Sequence, residues 1–515
     1  MKKLLVLLMC FLLVGCNADN IDDGADSGWE EYQNQEQEKL PVEEPNRYPA
    51  EFTLAYHKDH TLDPVTCGEG IQQDVSSLLY EPLFQLDENF EPQGVLCEGY
   101  QWSEDRLVCT LQIRQGVLFS DGSQLTAADV AATLQRAMQS ERYAYRLRHV
   151  VSVSHANRSG TVSITLSVPN GGLISLLDIP VVKNGTQQQM VPTGTGPYLF
   201  VTASNGPQLV ANTDWWQNQK LPVETIGLVH AKDRDTAVHL FSSGRVELLT
   251  LDPTGGHTEI TGHNEKTERP TTQMHFIGFN TTRGIFAQKE ARTVFSSGIQ
   301  REVLVNAFLS NHAQATWCPI APNSKIYPKS LNRTYNQDEL LAAMTAAGQN
   351  TGQISELILL VNEEDSFRVD NAKFIAQELS LLDWKITVKT LPFAEYLMAL
   401  EQGEFDLYYG EIRLCADWDL TDLVGTGGIM NYGGFSDEWM DTLLRVFAET
   451  TDRKVMANSL CTYLAETAPI APICFQNYTV LTHTDVVEGL TCAPEATFYS
   501  LGDWTIHLSE SEVSK

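Results

Sequence analysis

The chain offers few residue sets that could do chemistry. His57 and His60 stand three apart, a spacing at which two imidazoles could share a metal ion, but they fall at the end of an expected strand, where exposed histidines are common. Asp417-Trp418-Asp419-Leu420-Thr421-Asp422 opens like a calcium loop. Such a loop needs Gly at its sixth position and Glu at its twelfth, and this chain has Asp422 and Gly428 there. Gly194-Thr195-Gly196-Pro197-Tyr198 has neither the G-x-G-x-x-G of a dinucleotide fold nor the Gly-Lys-Ser/Thr end of a phosphate loop, so a structural turn is expected. There is no H-E-x-x-H, no G-x-S-x-G and no C-x-x-C. The chain shows no nucleophile-base motif, so a non-catalytic protein without cofactor or metal is expected.

The elements that would position any site fall into two textures. From Phe52 onward the chain reads as α+β: a strand over Phe52–Tyr56, a helix over Val75–Leu83, and strands over Gly99–Trp102 and Leu107–Ile113. A helix follows from Leu125, with Thr126 as N-cap and Asp129 three residues on, and apolar positions continuing through Leu134 and Met138. A second hairpin is expected over Val150–Ser154 and Val162–Val168, then a strand over Tyr198–Thr202 and another over Phe276–Asn280. Arg292–Leu309 has the spacing of one amphipathic helix. Beyond it strands at Leu357–Val361, Lys385–Val388 and Phe405–Tyr409 alternate with helices at Val369–Leu382 and Phe393–Leu400, the rhythm of an open α/β sheet. The fold class is α/β, mixed with α+β.

The 515 residues are 43% hydrophobic, enough for a large core in more than one domain-sized unit. With 35 basic residues against 66 acidic ones the net charge is −31, which repels phosphate backbones and excludes nucleic acid as a partner. Lys2-Lys3 followed by the apolar run Leu4–Val14 has the form of a secretory signal and is too short to span a bilayer. Leu13-Val14-Gly15-Cys16 resembles a bacterial lipobox, so residues 1–15 are expected to be removed and Cys16 to carry a lipid at the outer face of the cell membrane. Residues 16–46 are polar and acidic and read as a self-repelling tether. Beyond Cys10 and Cys16 eight cysteines remain. Disulfides are permitted in an exported chain, and Cys97 with Cys109 is the local pair that could face across a hairpin, with buried thiols as the alternative.

Tyr80-Glu81-Pro82-Leu83-Phe84, Leu86-Asp87, Trp102–Asp105, Leu111–Val117 and Phe119–Gly122 leading to Leu125–Val130 together resemble the N-terminal half of family 5 solute-binding proteins, the peptide, dipeptide and nickel receptors of ABC importers. Pro192–Tyr198, Asn212–Trp216, Ile277–Thr281, Gln300-Arg301-Glu302 and Cys415-Ala416-Asp417-Trp418 through Tyr432 and Phe435 continue the likeness in order. The resemblance implies a two-lobed, periplasmic-binding-protein-like fold. Lobe one would be 47–275, with an inserted subdomain near 67–177 and completion by 481–508; lobe two would be 276–480, joined through a two-segment hinge.

It also implies a site. Cys415 to Trp418 is similar to the Cys-Ala-Asp-Tyr segment in which the aspartate meets a peptide's α-ammonium, which makes Asp417 the lead residue and Cys415 and Trp418 its neighbours. Asp417 could also simply cap the segment that follows. Arg413 could pair with a ligand carboxylate or with Glu411. Glu69 and Gly70 resemble the strand that pairs with peptide backbone, and Phe475 lies in a hinge-proximal segment that often contributes an aromatic. Leu414 stands where the family often has Trp, so one aromatic wall differs. The implied function is capture of short peptides by a lipid-anchored monomer that passes them to a permease and its ATPases. A metal chelate, an oligosaccharide or another nutrient is the rival ligand, and a peptide sensor or an exported hydrolase the rival class.

Overall fold

The computed structural model describes residues 48–509, apart from 69, 255–259, 261, 310–311, 347–355 and 381–383. The signal-like segment, Cys16, the tether and Glu69 therefore lie outside the described residues. Among those described, no helix is long and apolar enough to cross a membrane.

Two long antiparallel strands, Asn264–Phe279 and Ile470–His483, form the spine. On one side the sheet continues through Leu248–Leu251, Thr53–Tyr56, Thr225–His230, Gly206–Ala211 and Tyr198–Ala203. On the other it continues through Leu407–Arg413, Leu357–Asn362 and Ile386–Leu391, while Ala313–Ala315 pairs separately with Ile470–His483. Strands Leu357–Asn362 and Ile386–Leu391 are parallel and joined by helix Ser366–Ser380, the βαβ unit anticipated from the alternation. The spine's ladder is irregular between Pro270 and Met274 and again between His275 and Phe276, where proline withholds a donor and a bulge bends the pair.

Separate apolar cores make the molecule two-lobed. Residues Val65 to Val181 bury their own core around Leu111, Val130 and Ile164 between a four-stranded antiparallel sheet and helix Ala127–Ala137. That helix begins with the expected reciprocal cap between Thr126 and Asp129, worth about 1 kcal/mol. A second core gathers Phe52, Tyr198, Val480 and Trp504 from opposite ends of the chain. The other lobe buries Phe276, Trp418 and Leu460 on one sheet face and Phe279, Phe295 and Trp384 on the other.

Three expectations are corrected. The helix read at Val75–Leu83 spans Ile71–Ser77; the apolar residues beyond it leave the helix ahead of Pro82 because Leu79 and Tyr80 pack against the Gly194–Gly196 turn. A Cβ on Gly194 would lie 2.1 Å from the Leu79 carbonyl oxygen, which explains glycine there. The single helix read at Arg292–Leu309 is two, Lys289–Gly298 and Arg301–Phe308, because Ile299 turns extended and Arg301 is drawn inward to the carbonyls of Thr316 and Pro472. Cys97 lies opposite Ile113 and Cys109 opposite Trp102, so the two do not face each other across their hairpin; both are buried thiols.

Glu81 fastens the inserted core to the rest of its lobe. Its buried carboxylate accepts from Trp215 Nε1 at 3.0 Å, Trp216 Nε1 at 2.7 Å and Gln217 Nε2 at 2.8 Å. A carboxylate removed from water needs such partners.

A charged cavity between the lobes

A cavity of about 1130 Å³ lies where the inserted core, the end of strand Leu407–Arg413 and the loop 494–502 converge. Its volume exceeds the 300–1000 Å³ usual for small-molecule sites. Charge enters it from four segments. The turn after helix Ala127–Ala137 brings Arg142 and Arg146, the segment after the 3₁₀ turn Leu173–Leu176 brings Asp178, the strand end brings Arg413, and the C-terminal loop brings Glu495.

These groups are arranged in alternating sign. Arg146 pairs with Asp178, and although burial works against a cation, the carboxylate holds this guanidinium above its ordinary range. Arg413 Nη1 lies 3.8 Å from Glu495 and its Nη2 donates to the Tyr478 hydroxyl at 2.9 Å. Burial pushes the Glu495 carboxyl up, but the guanidiniums of Arg413, Arg269, Arg142 and Arg146 outweigh it and hold the group below the usual carboxylate range. Glu495 takes a left-handed backbone with φ +58°, a conformation that costs a non-glycine residue free energy and that fixes this loop's course.

The expected site residues divide. Arg413 and Cys415 line the cavity, as does Leu414 in place of the aromatic. Burial pushes the Cys415 thiol up to about 12, so it is a neutral wall residue. Arg413 is not paired with Glu411, which is instead held by Arg368 Nε at 2.8 Å and Gln273 Nε2 at 2.8 Å. Asp417 lies outside the lining, 3% exposed, with Oδ2 accepting from Asn170 Nδ2 at 2.8 Å. Trp418 is buried between Phe90 and Phe475, at ring separations of 5.1 and 5.8 Å, so these aromatics are core rather than wall. Gly70 precedes helix Ile71–Ser77 at φ +71° and does not line the cavity either.

Asp417 belongs to a seam that joins the lobes beside the cavity. Gly171 N donates to Ala448 O at 2.7 Å, Arg106 Nη1 to Glu449 O at 3.0 Å, Arg148 Nη2 to Asp419 at 2.5 Å and the Tyr145 hydroxyl to Asp422 at 2.8 Å. Lys325 Nζ reaches Glu91 at 3.0 Å in a further contact between the same two lobes. The four charged residues missed from sequence, Arg142, Arg146, Asp178 and Glu495, left one trace: Arg142-Tyr143-Ala144-Tyr145-Arg146-Leu147-Arg148 concentrates three arginines and two tyrosines in an acidic chain.

His57 and His60 stack on each other with ring centroids 3.6 Å apart at the end of strand Thr53–Tyr56. Among the described residues no group of three or more His, Cys, Asp or Glu is placed to hold a metal ion.

Residues 91–419 match the family described as bacterial extracellular solute-binding proteins, family 5. The chain is 25% identical over 425 residues to the glutathione-binding protein GsiB of Salmonella typhi, covering 76% of this chain and 81% of that one. In fold it is similar to HbpA2 from Haemophilus parasuis, with TM-score 0.74 and 21% identity over 89% of this chain and all of the other. It is equally similar to the unliganded open form of the periplasmic murein tripeptide binding protein MppA, with TM-score 0.74 and 18% identity over 89% and 98% of the two chains.

Proposed function

The chain belongs to the bacterial extracellular solute-binding proteins of family 5, and from that premise we propose that it captures short peptides with free termini between its lobes and delivers them to an ABC permease. The observation that carries this is the cavity's alternating charge. A zwitterionic ligand finds guanidiniums for its carboxylate in Arg142, Arg146 and Arg413, and carboxylates for its ammonium in Asp178 and Glu495. Its volume suits an extended peptide of a few residues. A neutral sugar would bring no charge to match the ends of these ion pairs. The glutathione-binding and murein-tripeptide-binding relatives, both named for peptide ligands, support the same reading.

In this proposal lobe one is 47–275 completed by 481–508, with the inserted core near 67–177, and lobe two is 276–480. The irregular stretch of the spine at Pro270–Met274 is the hinge. Asp417 acts in the closed state as a seam residue and meets a ligand ammonium only if Asn170 swings away. The binding step involves no chemistry. A monomer anchored by a lipid on Cys16, with 16–46 as its tether, would keep the receptor beside the permease.

Native mass spectrometry of the chain from Arg47 onward, purified without denaturation, tests the reading. A set of co-purifying masses that fit short peptides is the expected result. A single non-peptide mass would overturn the ligand class and leave the family assignment standing.

A further inference from the structure

We propose that the receptor selects peptides carrying an acidic side chain, and that Arg142 is the residue that determines this specificity. The inference rests on the cavity being a peptide site and concerns which peptides it prefers. The guanidiniums that line the cavity are not equivalent. Arg146 is paired with Asp178, and Arg413 Nη1 lies 3.8 Å from Glu495. Arg142 lines the same cavity, yet among the described residues it is in no ion pair. Its partners are neutral. The Gln73 amide, oriented with its oxygen towards Arg142, accepts from Nη1 and Nη2, and the guanidinium carbon lies 5.1 Å from the centroid of the Tyr143 ring. The adjacent Glu141 is exposed to solvent.

Two fixed segments aim this guanidinium before any ligand arrives. Tyr143 N donates to the Ser140 hydroxyl at 3.1 Å and Ala144 N to the Ser140 carbonyl at 2.9 Å, while the Tyr143 ring is buried in the inserted core. Gln73 stands on helix Ile71–Ser77 between two buried neighbours: Gln72 Nε2 donates to the His60 carbonyl at 2.8 Å, and Asp74 Oδ1 accepts from the Thr497 hydroxyl at 2.8 Å. Preset groups lose little freedom on binding. A ligand carboxylate that meets Arg146 or Arg413 competes with Asp178 or Glu495, so part of what it gains is lost from an existing pair. One that meets Arg142 competes only with a neutral amide oxygen. The guanidinium presents five N–H donors in a planar fork, and two bonds to Gln73 leave three for a carboxylate. Closing the lobes takes this cation out of water, and a peptide with an Asp or Glu side chain supplies the charge that compensates it. A peptide without one has only its α-carboxylate, for which Arg146 and Arg413 compete.

The test is calorimetric titration of the ligand-free protein with alanine peptides of two to five residues, free at both termini, in which one position is glutamate, and with the same peptides carrying glutamine there. At least one glutamate peptide should bind about tenfold or more tightly than its glutamine counterpart. That ratio should fall towards one in Arg142→Gln and be largely kept in Arg142→Lys. Equal affinities within every pair overturn the acidic preference and leave the peptide reading intact, whereas no binding by either set overturns the peptide reading and this inference with it. A preference that survives Arg142→Gln removes the role of Arg142. Should that variant fail to fold, Gln73→Glu decides, because it gives Arg142 a carboxylate of the protein's own: the preference should vanish, and its retention would overturn the assignment.

Discussion

Asn170 Nδ2 donates to Asp417 Oδ2 at 2.8 Å across a sequence separation of 247 residues, so the aspartate with the strongest claim to a ligand amine bridges the two lobes instead. The same asparagine's Oδ1 accepts from Gly172 N at 2.8 Å, which shapes the loop that meets the other lobe. A hydrogen bond to an ionised group contributes about 1.5–3 kcal/mol, so Asn170→Ala should weaken the closed state by roughly 10- to 150-fold. Faster ligand release in stopped-flow measurements, with little change in association, would be its signature; an unchanged off-rate would mean that the seam does not stabilise closure.

Gly171 provides a steric version of the same test. A Cβ there would lie 2.0 Å from the Thr450 carbonyl oxygen, so Gly171→Val should hold the lobes apart. Small-angle scattering at saturating peptide should give a larger radius of gyration for the variant than for the wild type. Equal radii would show that the loop yields instead.

Arg413 and Glu495 can be separated by ligand chemistry. Arg413→Ala should cost about 1.5–3 kcal/mol in affinity for a peptide with a free C-terminal carboxylate and much less for its amide. Glu495→Gln should discriminate in the same way between a free and an acetylated amino terminus. Titration calorimetry on the four ligand and variant combinations reads both effects. Uniform losses across capped and uncapped peptides would remove terminal-charge recognition from the account.

Glu81 is the prediction for stability. Glu81→Ala leaves the two indole N–H groups and one amide N–H without their acceptor, each worth about 1–3 kcal/mol when buried. A loss of about 3–5 kcal/mol, a large share of a typical folding free energy, should appear as a lower urea midpoint. A change below about 1 kcal/mol would show that water replaces the carboxylate.

Glu247 should make stability depend on pH. Burial raises its carboxyl from 4.5 to about 7, and burial also holds nearby His483, with Nε2 at 3.9 Å, below its ordinary range. Between these two values the folded state holds a proton that the unfolded state has released. This group's contribution to stability is therefore full below pH 4.5 and is lost as pH rises towards 7. Glu247→Gln should gain stability relative to wild type at pH 8 compared with pH 5. A difference between the two proteins that does not vary with pH would refute the assignment.

Much of the architecture was legible because it rests on local patterns. A strand-turn-strand pattern marked the hairpin read at Gly99–Trp102 and Leu107–Ile113, which forms over Cys97–Trp102 and Val108–Ile113, and Thr126 with Asp129 marked a helix start. The βαβ rhythm after Leu357 and the ordered family segments placed the fold. Local pattern failed where a distant segment overrode it. Arg301 breaks a helix of continuous amphipathic spacing because its guanidinium is needed by the carbonyls of Thr316 and Pro472. Tertiary structure alone decided the site, because a side chain's charge acquires meaning only from which other charges are desolvated beside it. Arg146 and Glu495, far apart in the chain, converge on one cavity, while Asp417, two residues from Cys415 on that cavity's wall, faces Asn170.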